Sequence, residues 1–127
     1  MKRAVVGWSV AAGALLFITA VALSSYNYLS RIQYLGEQLR LGDKALKAGE
    51  FDRPISIYSE VLHRALTTHQ IAMAQFGRGT AENSKFRFDD SIRDFTEAIR
   101  LRPRWIEPYL GRAYAFQTEG RIWQGHC

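Results

Sequence analysis

Cysteine is almost missing from this chain: Cys127, at the extreme end of 127 residues, stands alone, so no disulfide can close within it and packing must hold it together. Proline is scarce at three, and with ten glycines that excludes collagen-like or low-complexity character. Length is lacking too. A chain of 127 residues makes one domain at most, which leaves no room for separate cofactor and substrate lobes. Nor is there a strong surplus of one charge. Seventeen basic residues face twelve acidic ones for a net +5, but two of the bases, Lys2 and Arg3, sit before an apolar run. What remains is interspersed with acids and reads as ordinary surface. With 47% apolar and 23% charged residues, most of the chain is expected to fold.

What the sequence does have is an uncharged run of twenty residues, AVVGWSVAAGALLFITAVAL, from Ala4 to Leu23. At about 1.5 Å per residue a helix of that length spans about 30 Å, the thickness of a bilayer's hydrocarbon core. Trp8 near its start and Tyr26, Tyr28 and Tyr34 after its end fit aromatic rings at the two headgroup layers. The reading is a transmembrane anchor over residues 1–30. A cleaved secretory signal is the competitor, with Lys2 and Arg3 as its basic start and Ala20, Val21 and Ala22 as its cleavage site. Signal cores hold about 7–15 apolar residues, and this run is longer.

Arg31 is the one base in the fifteen residues after Leu23, so the positive-inside bias puts the N-terminus in the cytoplasm. The expected place is a single-pass inner or plasma membrane, with the folded part periplasmic or otherwise extracytoplasmic; the alternative is a secreted protein. Gly7 with Ala11, and Ser9 with Gly13, are small-residue pairs through which two such helices can approach, so a homo-oligomer is possible.

Beyond residue 30 the chain repeats itself. An offset of thirty-seven links Gly42 with Gly79, Phe51 with Phe88, Asp52 with Asp89, Ile55 with Ile92, Tyr58 with Phe95 and Leu62 with Ile99. An offset of thirty-four joins Arg78 to Arg112, Gly79 to Ala113 and Ala81 to Ala115, and the two offsets summed relate Gly49 to Gly120. Each unit reads as two helices. Ile55, Tyr58, Val61, Leu62 and Ala65 form an apolar stripe at helical period, matched by Ile92, Phe95, Ala98, Ile99 and the exception Arg102. Asp52 and Asp89 are expected to cap these helices from their N-terminal side. Pro54 belongs to a first turn, Pro103 to a helix stop, and Pro108 to the first position of the next helix.

These residues resemble the tetratricopeptide repeat (TPR), a helix-turn-helix unit of about 34 residues. The clearest copy is AMAQFGRGTAENSKFRFDDSIRDFTEAIRLRP, Ala72 to Pro103, with Gly79, Ala81, Phe88, Phe95, Ala98 and Pro103 on the family's small, aromatic and closing positions. A first unit over about 35–68 keeps Gly42, Ala45, Gly49, Phe51 and Tyr58; a second covers about 72–105; a partial third, 106–121, contains PYLGRAYAFQTEGR, which looks like a first helix and its turn at Gly120. There are departures. Unit one has a longer connection near Thr67, Thr68 and His69, Pro54 and Ser91 replace the usual Ala, Phe86 replaces the turn Gly, and RIWQGHC lacks the stripe of a second helix.

The resemblance implies an all-α solenoid of two full repeats and a half over residues 31–127, with a concave groove that binds another protein's peptide or helix. By the same resemblance the groove is lined by Leu39, Arg40, Asp43 and Lys47, then Phe76, Thr80 and Asn83, then Leu110, Tyr114 and Gln117. Phe76, Leu110 and Tyr114 are apolar anchors, and Arg40 and Lys47 suit an acidic partner. Some relatives clamp the terminal carboxylate of heat-shock chaperones with lysine, arginine and asparagine. The matching positions here are Leu39, Asp43, Gly77, Glu107 and Gly111, which lack the cationic forks such pairing uses.

Catalysis finds no constellation. His63 and His69 fall on different helix faces and suit surface or turn positions better than a metal. Cys127 beside His126 lacks an orienting third group, and Asp89 with Asp90 is explained by a helix start. The expectation is no enzyme activity, no cofactor and no metal. A rival reading is nucleic-acid binding through Arg87, Arg93, Arg100, Arg102, Arg104 and Trp105. Against it, Arg100 lies where a helix C-terminus favours cations, and a domain sent across the membrane meets no nucleic acid. The expected partner is therefore another protein or peptide, with the membrane engaged through residues 4–23.

Overall fold

In the computed structural model residues 2–124 are described as backbone elements and residues 6–120 with their side-chain surroundings. The nucleophile-and-base pair weighed above, Cys127 and His126, lies outside the described residues. Among those residues the chain is all-α, with five helices and no strand: α1 Lys2–Lys47, α2 Asp52–Arg64, α3 Thr68–Ser84, α4 Phe88–Leu101 and α5 Ile106–Gln124. This architecture is compatible with a TPR-like helical repeat. The chain divides into two compact units, Met1–Gln33 and Tyr34–Cys127.

Among the described residues of the first unit the large apolar side chains are exposed, Trp8 at 83% and Phe17 at 71%. The hydroxyls in the run turn back on their own helix, Ser9 Oγ donating to the Val6 carbonyl at 2.8 Å and Thr19 Oγ1 to that of Leu16 at 2.9 Å. Both hydroxyls are thus satisfied within the segment, which hydrocarbon would demand. By length and composition this is one helix able to cross a membrane, with a mean hydropathy of 2.1 in its most apolar stretch.

The second unit forms because the apolar stripes of α2 and α4 meet small residues on their neighbours. Leu35, Tyr58, Val61 and Ala74 make a buried cluster, with Leu39, Leu46, Leu62 and Leu66 packed around it. The Tyr58 ring lies between two glycines: a Cβ at Gly42 would come within 2.7 Å of it, and one at Gly77 would overlap it outright. Phe95 repeats this one unit later, between Gly79 and Gly111. Small residues at those four places are what lets two helices approach one ring from opposite sides.

The two hairpin turns are built alike. Gly49 N donates to the Leu46 carbonyl and Glu50 N to that of Ala45; Phe86 N donates to Asn83 and Arg87 N to Glu82, all at 3.0 Å. Both turns need a left-handed residue, Gly49 at φ +77 and Phe86 at φ +60. The missing turn glycine therefore leaves the turn unchanged, at a strain of about 1–2 kcal/mol.

Four expectations are corrected. Asp52 and Asp89 do not cap: Phe51 and Arg87 precede the helices, and neither forms a side-chain cap bond. The aspartates stand inside the first turn, near the positive helix end, and Asp52 accepts from Lys85 Nζ instead. α3 starts earlier than Ala72, because Thr67 caps it by accepting from Gln70 N at 3.2 Å, which draws Thr68 and His69 into the helix. Pro108 is the third residue of α5 rather than the first; no intrahelical acceptor serves an N–H there either. The chain does not turn at Gly120, since α5 runs on to Gln124.

Candidate functional site

Of the groove residues named from the sequence, Leu39, Phe76 and Leu110 share one register, Asp43, Thr80 and Tyr114 another, and Asn83 and Gln117 a third, while Arg40 and Lys47 have no counterpart among the ten; the structure gives them all unequal surroundings. Leu39 is half-buried and packs against the Leu35, Tyr58, Val61 and Ala74 cluster. Asp43 is exposed, but its Oδ1 accepts from the Tyr58 hydroxyl at 2.6 Å. Burial first, and then this bond to a carboxylate, push the Tyr58 hydroxyl far above the ordinary phenol range. Arg40 spends its fork on Glu37, with Nε to Oε2 at 2.9 Å; the bond raises the guanidinium and lowers the Glu37 carboxyl. Lys47 stands exposed in the last turn of α1.

The apolar part of the groove is better formed. Phe76 is half-buried, its ring 5.8 Å from Phe95 and 4.7 Å from Trp105, both tilted. The Arg102 guanidinium lies over Trp105 at 4.9 Å, a cation–π contact that adds to the hold on the indole. Beside it opens a depression of about 540 Å³ lined by Arg102, Pro103, Arg104, Trp105, Ile106 and Glu107. Thr80 Oγ1 donates to the Phe76 carbonyl at 2.9 Å, and Asn83 Oδ1 is buried without a partner. On α5, Leu110 and Tyr114 are 65% and 59% exposed, with Gln117 exposed on the next turn.

The structure thus joins Phe76 to Trp105, which the groove reading had left out. The only sequence signal for it was an aromatic residue two places after the helix-stopping Pro103. It leaves Leu39 and Asp43 engaged with the protein itself. The arginines of the nucleic-acid reading are mostly engaged too: Arg87 with Glu82 at 3.2 Å, Arg93 with Asp90 at 3.0 Å and Arg100 with Glu97. Arg100 holds the Glu97 carboxyl below its ordinary range through their hydrogen bond. His63 and His69 belong to different helices, and among the described residues no group of three His, Cys, Asp or Glu is placed to hold a metal ion.

No family model matches the chain, and no solved structure matches it. It is similar to human DnaJ homolog subfamily C member 7, with 32% identity over 78 residues, 59% of this chain and 15% of that protein. The chain therefore spans about 15% of the length of this curated relative. The likeness is compatible with a TPR-like helical chain.

Proposed function

We propose that this chain is a membrane-anchored TPR scaffold that acts by binding rather than catalysis, holding another protein's extended peptide or helix in the concave face of its repeats. The observation that carries the reading is the apolar floor: Phe76 packed at a tilt against Trp105, with exposed Leu110 at the register of Phe76 one unit later and exposed Tyr114 at that of Thr80. Partly exposed aromatic side chains held in place by their neighbours give large contact area at small entropic cost, which is how binding energy becomes concentrated in a few residues. Lys47 adds a cation at one end for an acidic partner. Residues 4–23 supply the anchor, with the N-terminus cytoplasmic and the repeats on the outer side.

The test is capture from native membranes with the tagged full chain, comparing wild type with Phe76→Ala and Tyr114→Ala. Partners retained by wild type and lost from both variants support the groove; equal capture by all three contradicts it. Intact mass of the membrane-bound protein distinguishes an uncleaved anchor from a signal cut after Ala22.

A further inference from the structure

The α3–α4 hairpin shows what covers the first helix of a unit. Phe95 lies against Gly79, where a Cβ would come within 3.1 Å of the ring. The residue before that glycine, Arg78, bonds to the residue before that ring, Asp94, with Nε to Oδ2 at 2.7 Å and Nη2 to Oδ1 at 2.8 Å. Arg78 also reaches the preceding hairpin, donating to Ser59 Oγ on α2 at 3.2 Å.

α5 repeats this arrangement thirty-four residues later with one half vacant. Its inner side is in place: Gly111 meets Phe95, and Arg112 donates to Thr96 Oγ1 on α4 at 3.1 Å, as Arg78 does to Ser59. Its outer side is open. Ala113, at the register of Gly79, is exposed together with Tyr109 and Phe116, which are 40% and 55% exposed. Among the described residues no carboxylate pairs with Arg112, whereas Arg78 has Asp94.

We propose that the open face of α5 docks an amphipathic helix of a separate polypeptide, in which an acidic residue immediately precedes an aromatic one. The ring sits on Ala113 beside Phe116, and the carboxylate pairs with Arg112, whose guanidinium lies over the Tyr109 ring at 5.8 Å and bonds Thr96 through Nη1. Charge complementarity and continuity with the α3–α4 interface argue for this occupant together. A second copy of the chain does not offer the dyad as it stands: among the described helices α4 alone carries it, and its Asp94 and Phe95 are already seated on α3. This surface is distinct from the apolar floor of the groove and does not depend on it.

The experiment titrates the full chain in detergent micelles with a labelled synthetic peptide of residues 87–104, the segment that covers α3. Saturable binding to wild type is expected. Ala113→Arg abolishes it, and Arg112→Glu weakens it about tenfold or more. A peptide carrying Asp94→Arg recovers the loss against Arg112→Glu, because the charges are exchanged. The side chains changed are exposed or half-exposed, and the melting temperature of each variant checks that the fold is kept. Absence of saturable binding, or equal binding by wild type and Ala113→Arg, overturns the proposal. So does self-association that Ala113→Arg removes and the peptide does not displace, which would give the face to a second copy.

Discussion

Asp94 grips Arg78 through two parallel bonds of 2.7 and 2.8 Å, with 6% of the aspartate side chain exposed and 27% of the arginine's. The deeper member is the acid. Removing either partner strands the other, and the cost follows the depth of the charge left behind. Asp94→Asn is expected to cost about 2 kcal/mol, since water still reaches the guanidinium, and Arg78→Met about 3 kcal/mol or more, since it strands the buried carboxylate. Urea unfolding of both variants checks the order; a larger loss for Asp94→Asn would contradict it.

Glycine-to-alanine substitutions should differ in sign along the chain. Gly77→Ala drives a methyl into the Tyr58 ring, which is fully buried and tethered through its hydroxyl to Asp43, so it has no room to retreat. Overpacking of this kind costs about 1–3 kcal/mol. At Gly36 nothing lies within 4 Å of the new atom. There the substitution is expected to stabilise by about 0.5–1 kcal/mol through helix propensity. Thermal melts of the two variants provide the comparison.

Ser91 is wholly buried, and its hydroxyl has no hydrogen-bond partner. A buried donor without an acceptor carries its desolvation cost uncompensated. Ser91→Ala is therefore expected to raise stability by about 1 kcal/mol, read as a higher denaturation midpoint with an unchanged slope.

Tyr58 should govern the alkaline limit. Its hydroxyl is raised above the ordinary value of 10.0 by burial and by the bond to Asp43. Above that pH the unfolded chain loses a proton that the folded chain keeps, so the contribution is complete below about pH 10 and disappears as pH rises further. Stability of the wild type is expected to fall above pH 10, more steeply than that of Tyr58→Phe. Parallel pH profiles for the two proteins would sink this assignment.

The repeat spacing made the helical hairpins and their buried rings readable from sequence, because Gly42, Tyr58, Gly79 and Phe95 answer to local period and size. Asp52 misled because an acidic residue serves equally as a cap or inside the first turn, and Lys85, thirty-three positions away, decided between them. Leu39 and Asp43 show another limit: register gives the direction of a side chain and says nothing of Tyr58 arriving from α2 to engage it. The Phe76–Trp105 contact and the tie among Ser59, Arg78 and Asp94 were hidden for the same reason, since each joins residues from different elements whose approach no local pattern encodes.

Because Tyr58 and Phe95 are each held by glycines from two successive hairpins, neither ring belongs to a single repeat. Peeling α5 away uncovers the aromatic centre of the hairpin before it, and loosening α3 strips both rings at once. Melting is thereby coupled from one hairpin to the next, so residues 34–120 should denature as one block, with no population in which a single hairpin survives alone.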